Sequence, residues 1–328
     1  MASPAARADW AAALGTPAVV VDLTGEAPDV DADALGPALR SVPAVLVGVG
    51  PPGLDGPGRA PAAFFDVVVE DPAPVLSTIG RQPVASVTLA LVLRASPHLD
   101  VPSGLAVESA AYSMLQAGPE FREWRASRAP RPAAGEEPKG STVIIARRGD
   151  VLDVTLSRPE RHNAFNAAMR DELAEALLTA LSDPSIERVV LRGAGPSFCS
   201  GGDLDEFGTL PDPATGHLTR LARSTGGLLA MLAPRVEAHL HGACLGAGIE
   251  LPAFAGRVVA HPDTVIALPE IGFGLIPGAG GTVSLPRRIG RHRTAELALG
   301  GTRLDATTAL AWGLVDEISS AISSGPAQ

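Results

Sequence analysis

Between residues 141 and 318 the hydrophobic pattern switches repeatedly between a period of two and a period near four. Short apolar runs at 143–146 and 151–156, folded about the Arg148-Gly-Asp150 turn, predict a strand pair. Further strands are predicted at 188–191, 236–240, 258–260 and 265–267. Met169, Leu173, Leu177 and Leu181 recur every fourth residue, the apolar stripe of a helix from Ala167 to about residue 181. Asn166 is placed to cap it and Asp183-Pro184 to end it. Helices are also predicted at 218–232, where Gly226-Gly227 is unfavourable, from about 247, at 294–299 and at 306–311. This alternation predicts an α/β fold.

The N-terminal part reads differently. Strands are predicted at 19–23, 45–49, 65–69 and 84–93, then a helix at 105–116 that breaks at Gly118-Pro119 and resumes at 120–128. Residues 129–140 are rich in Pro and Gly, charged, and free of large apolar side chains, so they read as a linker. The expected division is an N-terminal α/β region at 1–128, a linker at 129–140 and a second domain at 141–328. Three segments echo across the linker. Ala44-Val-Leu-Val-Gly-Val-Gly-Pro51 resembles 188–196, 19–24 loosely resembles 151–156, and 82–86 resembles 234–238. Two readings are open: chance likeness among Val-rich strands, or a degenerate duplicate of the C-terminal fold.

Composition narrows the function classes. Of 328 residues 46% are hydrophobic, ample for a core, but only 4% are aromatic, so Val, Leu and Ala must fill it. The net charge of −10, with no basic run, opposes general phosphate-backbone binding, and no nucleic-acid partner is expected. Cys199 and Cys244 form no framework and no CxxC, which suits a reducing compartment. The most apolar stretch, 84–93, is too short to span a bilayer, and the N-terminus leads into no apolar core with a cleavage site. The expectation is a soluble cytoplasmic protein without a membrane partner.

The candidate chemistry lies in two glutamates. Glu250 follows a glycine turn, Gly242-Ala-Cys-Leu-Gly-Ala-Gly-Ile-Glu250. Glu270 opens Pro269-Glu-Ile-Gly-Phe-Gly-Leu-Ile-Pro-Gly-Ala-Gly-Gly-Thr282. Upstream stands a second glycine turn, Phe198-Cys-Ser-Gly-Gly-Asp-Leu204. Two carboxylates facing two turns with free N–H groups make an acid/base site beside an oxyanion hole. Either glutamate alone would read as an ordinary helix-end residue.

Taken together with Arg158-Pro-Glu-Arg-His-Asn-Ala-Phe-Asn166, these motifs, in this order, make residues 143–318 resemble the crotonase (enoyl-CoA hydratase/isomerase) superfamily. The resemblance implies a spiral of ββα units, with 1–128 as an α/β extension for which a degenerate half of the same kind is one of the two open readings. It implies that the N–H groups of Gly202 and Ala247 hold a thioester oxygen, and that Glu250 and Glu270 act on an acyl-CoA, in the hydratases by activating water and protonating Cα. Keeping both acids favours addition of water to a trans-2-enoyl-CoA. Isomerisation or dehydration of a specialised acyl-CoA, and a non-catalytic acyl-CoA-binding subunit, are the rival readings. Coenzyme A contacts are implied at Arg161, His162, Ala164, Ser200, Gly202, Asp203, Leu204 and Asp205. Coenzyme A belongs to the substrate; no cofactor and no metal is expected, and a homo-oligomer, trimer or hexamer, is implied.

Several positions depart from the family pattern. Polar Arg161 and His162 stand where apolar residues are usual, Pro252 falls within the catalytic helix, and Gly256 replaces an Asp. Glu237, His239 and His241 share one strand face, which suits a hydrogen-bonded network behind the site better than a metal. Family members usually continue past 313–318 with helices that cover the site; here residues 103–124 resemble such a helix, so 103–128 are expected to serve as that cover, as in a partial permutation. Gly48-Val-Gly-Pro-Pro-Gly53 matches GxGxxG, but Pro51-Pro52 opposes the helix a dinucleotide site needs.

Overall fold

The computed structural model describes residues 15–24, 36, 39–51, 64–128 and 140–322. Three short Val-rich strands, β1 (Ala18–Asp22), β2 (Val45–Val49) and β3 (Val67–Val69), run parallel in that order. Along β2 the faces alternate: Val45 and Val47 enter the main core, whereas Leu46 joins a small one with Leu39, Val42, Ala44 and Phe65. Four helices follow, α1 (Ala73–Arg81), α2 (Pro83–Ala95), α3 (Val101–Gln116) and α4 (Pro119–Ser127).

Helix α2 corrects the strand predicted at 84–93. Pro83 at its first position is pre-set for a helix, and burial reaches most of its circumference, from Ala85 to Leu93. A helix wetted on so little of its surface has no polar face, so its Val- and Leu-rich sequence shows no period near four and imitates a buried strand. At its end Arg94 is buried against Asp66: Nε donates to Oδ1 at 2.8 Å and Nη2 to Oδ2 at 2.6 Å. The same guanidinium donates to the carbonyls of Val42 and Ala44, both at 2.6 Å, tying α2 to the small sheet.

The remaining elements are β4 (Val143–Arg148), β5 (Val151–Leu156), α5 (Ala167–Ser182), β6 (Arg188–Gly193), α6 (Pro213–Ala222), α7 (Thr225–Leu232), β7 (Val236–Leu240), β8 (Ala243–Leu245), α8 (Ala247–Glu250), β9 (Arg257–Ala260), β10 (Val265–Ala267), α9 (Gly281–Leu299), β11 (Leu304–Asp305), α10 (Ala306–Trp312) and β12 (Glu317–Ile318). The main sheet has the order β12-β9-β7-β6-β5-β4 and is parallel except for the β4–β5 hairpin. A smaller sheet runs β11-β10-β8. Asn166 caps α5 as expected, its Oδ1 accepting from the amide of Met169 at 2.9 Å. The single helix predicted at 218–232 is two: α6 ends at Ala222, and the Ser224 hydroxyl caps α7 through the amide of Gly227. Pro252 does not kink the catalytic helix; α8 is one turn long, and Pro252 opens the 3-10 turn that follows.

Leu89 and Leu93 of α2, Leu105 and Leu115 of α3 and Phe121 of α4 share one apolar core with Leu173, Leu177, Val283 and Leu285. Helix α9 packs on both α2 and α3. The N-terminal helices are thus continuous with the C-terminal part, while 129–139 of the expected linker lie outside the described residues. Of the three echoes, two fall on parallel strand pairs, β1–β2 and β5–β6. The third fails, because 82–86 start a helix whereas 234–238 enter β7. No single helix among the described residues is long and apolar enough to cross a membrane.

Candidate active site

The two glycine turns lie side by side because each lends the other its backbone. Phe198 N donates to His241 O (2.9 Å), Cys199 N to Ala243 O (3.1 Å), and Leu245 N to Cys199 O (3.0 Å). This ladder brings Gly202 and Ala247 to the wall of one cavity of about 380 Å³, which Glu250 and Glu270 also line. Neither the Gly202 nor the Ala247 amide donates to an acceptor among the described residues.

Both glutamates are buried, at 2% and 7% exposure. Glu250 fixes one oxygen: Oε2 accepts from the amides of Ala279 (2.7 Å) and Gly281 (2.9 Å). Glu270 stands on a 3-10 turn, and its Oε2 is buried with no hydrogen-bond partner. The carboxylates converge over Gly246, where a Cβ would lie 2.1 Å from Glu270 Oε1 and 3.7 Å from Glu250 Oε1. With φ of +50° as well, only glycine fits there. Burial pushes the Glu250 carboxyl up to about 7, against the pull of its two amides. Burial, then the nearby Glu250 charge, holds Glu270 well above the ordinary carboxylate range. The two environments therefore differ: Glu250 is braced by two amides, whereas Glu270, without such donors at Oε2, is biased further toward its protonated form.

A third buried carboxylate comes from the N-terminal part. Glu108 of α3, 2% exposed, accepts from Gly280 N (2.7 Å), Thr282 N (2.8 Å) and Thr282 Oγ1 (2.7 Å). The four successive amides of 279–282 thus alternate between Glu250 and Glu108. Burial first, then the Glu250 charge, raises the Glu108 carboxyl to about 8. Tyr112, one turn along α3, lies so close to Gly278 that a Cβ there would be 2.5 Å from its ring. Helix α4 closes the other side, stacking Trp124 on Phe121 (5.5 Å between centroids) and against Phe273 (4.9 Å) and Phe207 (6.2 Å). Residues of α3 and α4 thus line this cavity, among them Glu108, Tyr112 and Phe121. Glu108 was not singled out by the sequence reading, yet it is the only charged residue in α3, a signal that could have found it.

Of the residues expected to meet coenzyme A, Gly202 and Asp203 line the cavity, while Arg161, His162, Ala164, Ser200, Leu204 and Asp205 stand outside it. These residues are knit to one another and to their neighbours. Buried Arg158 donates to Asp203 Oδ2 (3.0 Å) and to the Ala164 carbonyl (2.6 Å). Arg161 pairs with Asp205 (3.5 Å), which Arg128 also reaches (3.3 Å); Arg128 donates to Leu204 O as well. His162 Nδ1 meets Ser197 Oγ, and its carbonyl accepts from Ser200 N. Arg192 of β6 donates to His239 Nδ1 on β7, so Nε2 carries the proton offered to Glu237, both at 2.5 Å. His241 bonds the Gly195 carbonyl instead. The shared face is therefore a hydrogen-bonded network, and no cluster among the described residues could hold a metal ion.

Residues 146–323 match the family model for enoyl-CoA hydratase/isomerase. Over 178 residues the chain is 36% identical to the 2,3-dehydroadipyl-CoA hydratase of Escherichia coli (strain K12), covering 54% of this chain and 69% of that one. It is 37% identical over 172 residues to the 1,2-epoxyphenylacetyl-CoA isomerase of the same organism, covering 51% and 66%. An enoyl-CoA hydratase from Thermoplasma volcanium GSS1 superposes with a TM-score of 0.50 at 37% identity, over 55% of this chain and 73% of that one.

Proposed function

Because the chain belongs to the enoyl-CoA hydratase/isomerase family, whose members act on acyl-CoA thioesters, we propose that its cavity adds water across the double bond of a trans-2-enoyl-CoA. The observation that carries this reading is the pairing of two unengaged amides, at Gly202 and Ala247, with two carboxyl groups that each keep an oxygen free. The thioester oxygen accepts from both amides. Water, held between the glutamates, gives a proton to Glu250 as its oxygen bonds to Cβ. The π electrons of the double bond move toward the thioester, and the oxygen carries the developing charge. That charge returns as Cα takes a proton from Glu270 and the carbonyl re-forms. Each amide is expected to contribute on the order of 10²–10³ in rate.

Isomerisation moves one proton between carbons and needs one acid; the second, amide-braced carboxylate of Glu250 favours hydration. In this reading α3 and α4 stand in for the helices that cover the site in relatives, and the protein assembles as a trimer or hexamer. The test is loss of enoyl-thioester absorbance with crotonyl-CoA and longer trans-2-enoyl-CoAs, beside Glu250→Gln and Glu270→Gln. Turnover lost in either variant supports the two-acid hydratase. Tight binding of the esters with no turnover at any length overturns it in favour of a binding subunit.

A further inference from the structure

The cavity wall beyond the two glutamates carries a cation that the hydration chemistry does not use. Arg220 of α6 is half-buried and lines the cavity. Its Nε donates to Ser109 Oγ (3.1 Å), and its Nη2 to Ser109 O (3.3 Å) and Ser113 Oγ. The guanidinium also lies over the Tyr112 ring, 4.7 Å from the centroid. All of these partners are neutral. Of the other cavity arginines, Arg170 and Arg223 approach Asp171 and exposed Arg125 donates to the Gly208 carbonyl; Arg220 has no carboxylate within ion-pair distance among the described residues, and its Nη1 has no acceptor there. Glu108, the nearest acid along α3, has both oxygens engaged by Gly280 and Thr282. With Nε and Nη2 held by Ser109 and Ser113, the guanidinium is fixed in place and the two N–H groups of Nη1 are left to meet a carboxylate.

Position decides which end of a substrate it meets. Arg220 rests on Tyr112, and Tyr112 rests on Gly278 in the segment that begins with Glu270. Arg161 and the rest of the 161–164 loop, where coenzyme A is expected, stay outside this cavity. Arg220 therefore stands on the glutamate side of the oxyanion pair, where an acyl chain continues past Cβ. We propose that Arg220 is a specificity residue for an acyl chain ending in a carboxylate, so that the substrate is an ω-carboxyacyl-CoA and not a plain fatty acyl-CoA. This rests on the acyl-CoA reading of the cavity, but not on which reaction follows. Burial lowers the pKa of this guanidinium, against the opposing pull of Tyr112 and Glu108.

The test is equilibrium binding of saturated esters, which do not react. ω-Carboxyacyl-CoAs of about four to eight carbons are titrated calorimetrically beside methyl-ended esters of equal length, against wild type, Arg220→Gln and Arg220→Lys. Wild type is expected to bind the best carboxylated ester about 10- to 100-fold tighter than its methyl counterpart. Arg220→Gln is expected to erase that preference and Arg220→Lys to keep part of it. Equal affinities in wild type overturn the proposal, and that comparison needs no variant to fold. A preference that survives in Arg220→Gln assigns it elsewhere and overturns the proposal too. Equal weakening of both esters in Arg220→Gln means that Arg220 serves a coenzyme A phosphate and not an acyl carboxylate. If neither ester binds wild type, the acyl-CoA reading itself fails; if both bind alike, only this inference does.

Discussion

Glu250 and Glu108 grip one turn from opposite parts of the chain, and they differ in what they leave unoccupied. Both are almost fully buried and both accept from alternate amides of residues 279–282. Glu250 uses one oxygen and turns the other toward Glu270 and the cavity. Glu108 uses both, adding the Thr282 hydroxyl. A buried carboxylate with a free oxygen can exchange a proton with substrate; one whose acceptors are filled holds a backbone in place. In this molecule the first kind comes from the family part and the second from the N-terminal helices.

The largest break in this comparison is Glu250→Gln or Glu270→Gln, expected to lower kcat by about 10²–10⁴-fold in the enoyl-absorbance assay. Next is Arg94→Ala. It leaves buried Asp66 with only Arg291, at 3.6 Å, and the Leu46 amide as partners, so urea unfolding is expected to show a loss of about 3 kcal/mol. Glu108→Gln comes third. Its amide nitrogen would face backbone donors, and a loss of about 10-fold in kcat is expected, from the ~1–3 kcal/mol of an unmatched buried group.

The pH dependence sharpens the comparison further. In wild type, activity should rise through about pH 7 as Glu250 ionises and fall at higher pH as Glu270 loses its proton, the two limbs belonging to the coupled pair. Glu108 is one of the charges that raise Glu270. Its removal should move the alkaline limb to lower pH, and an unmoved limb would show the two groups uncoupled. The smallest effect is expected from Arg125→Ala, an exposed tie from α4 to the Gly208 carbonyl, at under about 1 kcal/mol in the same unfolding assay.

The legible parts of the sequence were those where local chemistry and tertiary structure agree. Asn166 caps a helix whose stripe faces the core, and β6 and β9 each carry a Val-Val pair between turns. Glu250 and Glu270 were legible because their glycine turns have few other uses in that order. Helix α2 was not, because burial on most sides removes the polar face on which a helical period depends. The break between α6 and α7 was signalled only by Gly226-Gly227, and its cause, a serine cap, is a three-residue event. Glu108 and Arg220 were missed because each gains its role from a partner more than a hundred residues away, Gly280 for one and Ser109 for the other.

That distance has a consequence for how the chain reaches its native state. Glu108 and Gly280 are 172 residues apart, so the contact that completes the site closes one of the longest loops in the molecule. Helix α3 leaves the ribosome long before the turn it grips, with Leu105 and Leu115 still lacking their neighbours on α9. Loop closure of this kind must precede the packing that rewards it, and it slows folding. During refolding, sheet and helix signals should recover before catalytic competence, because the site is complete only once α3 meets the 279–282 turn across 172 residues.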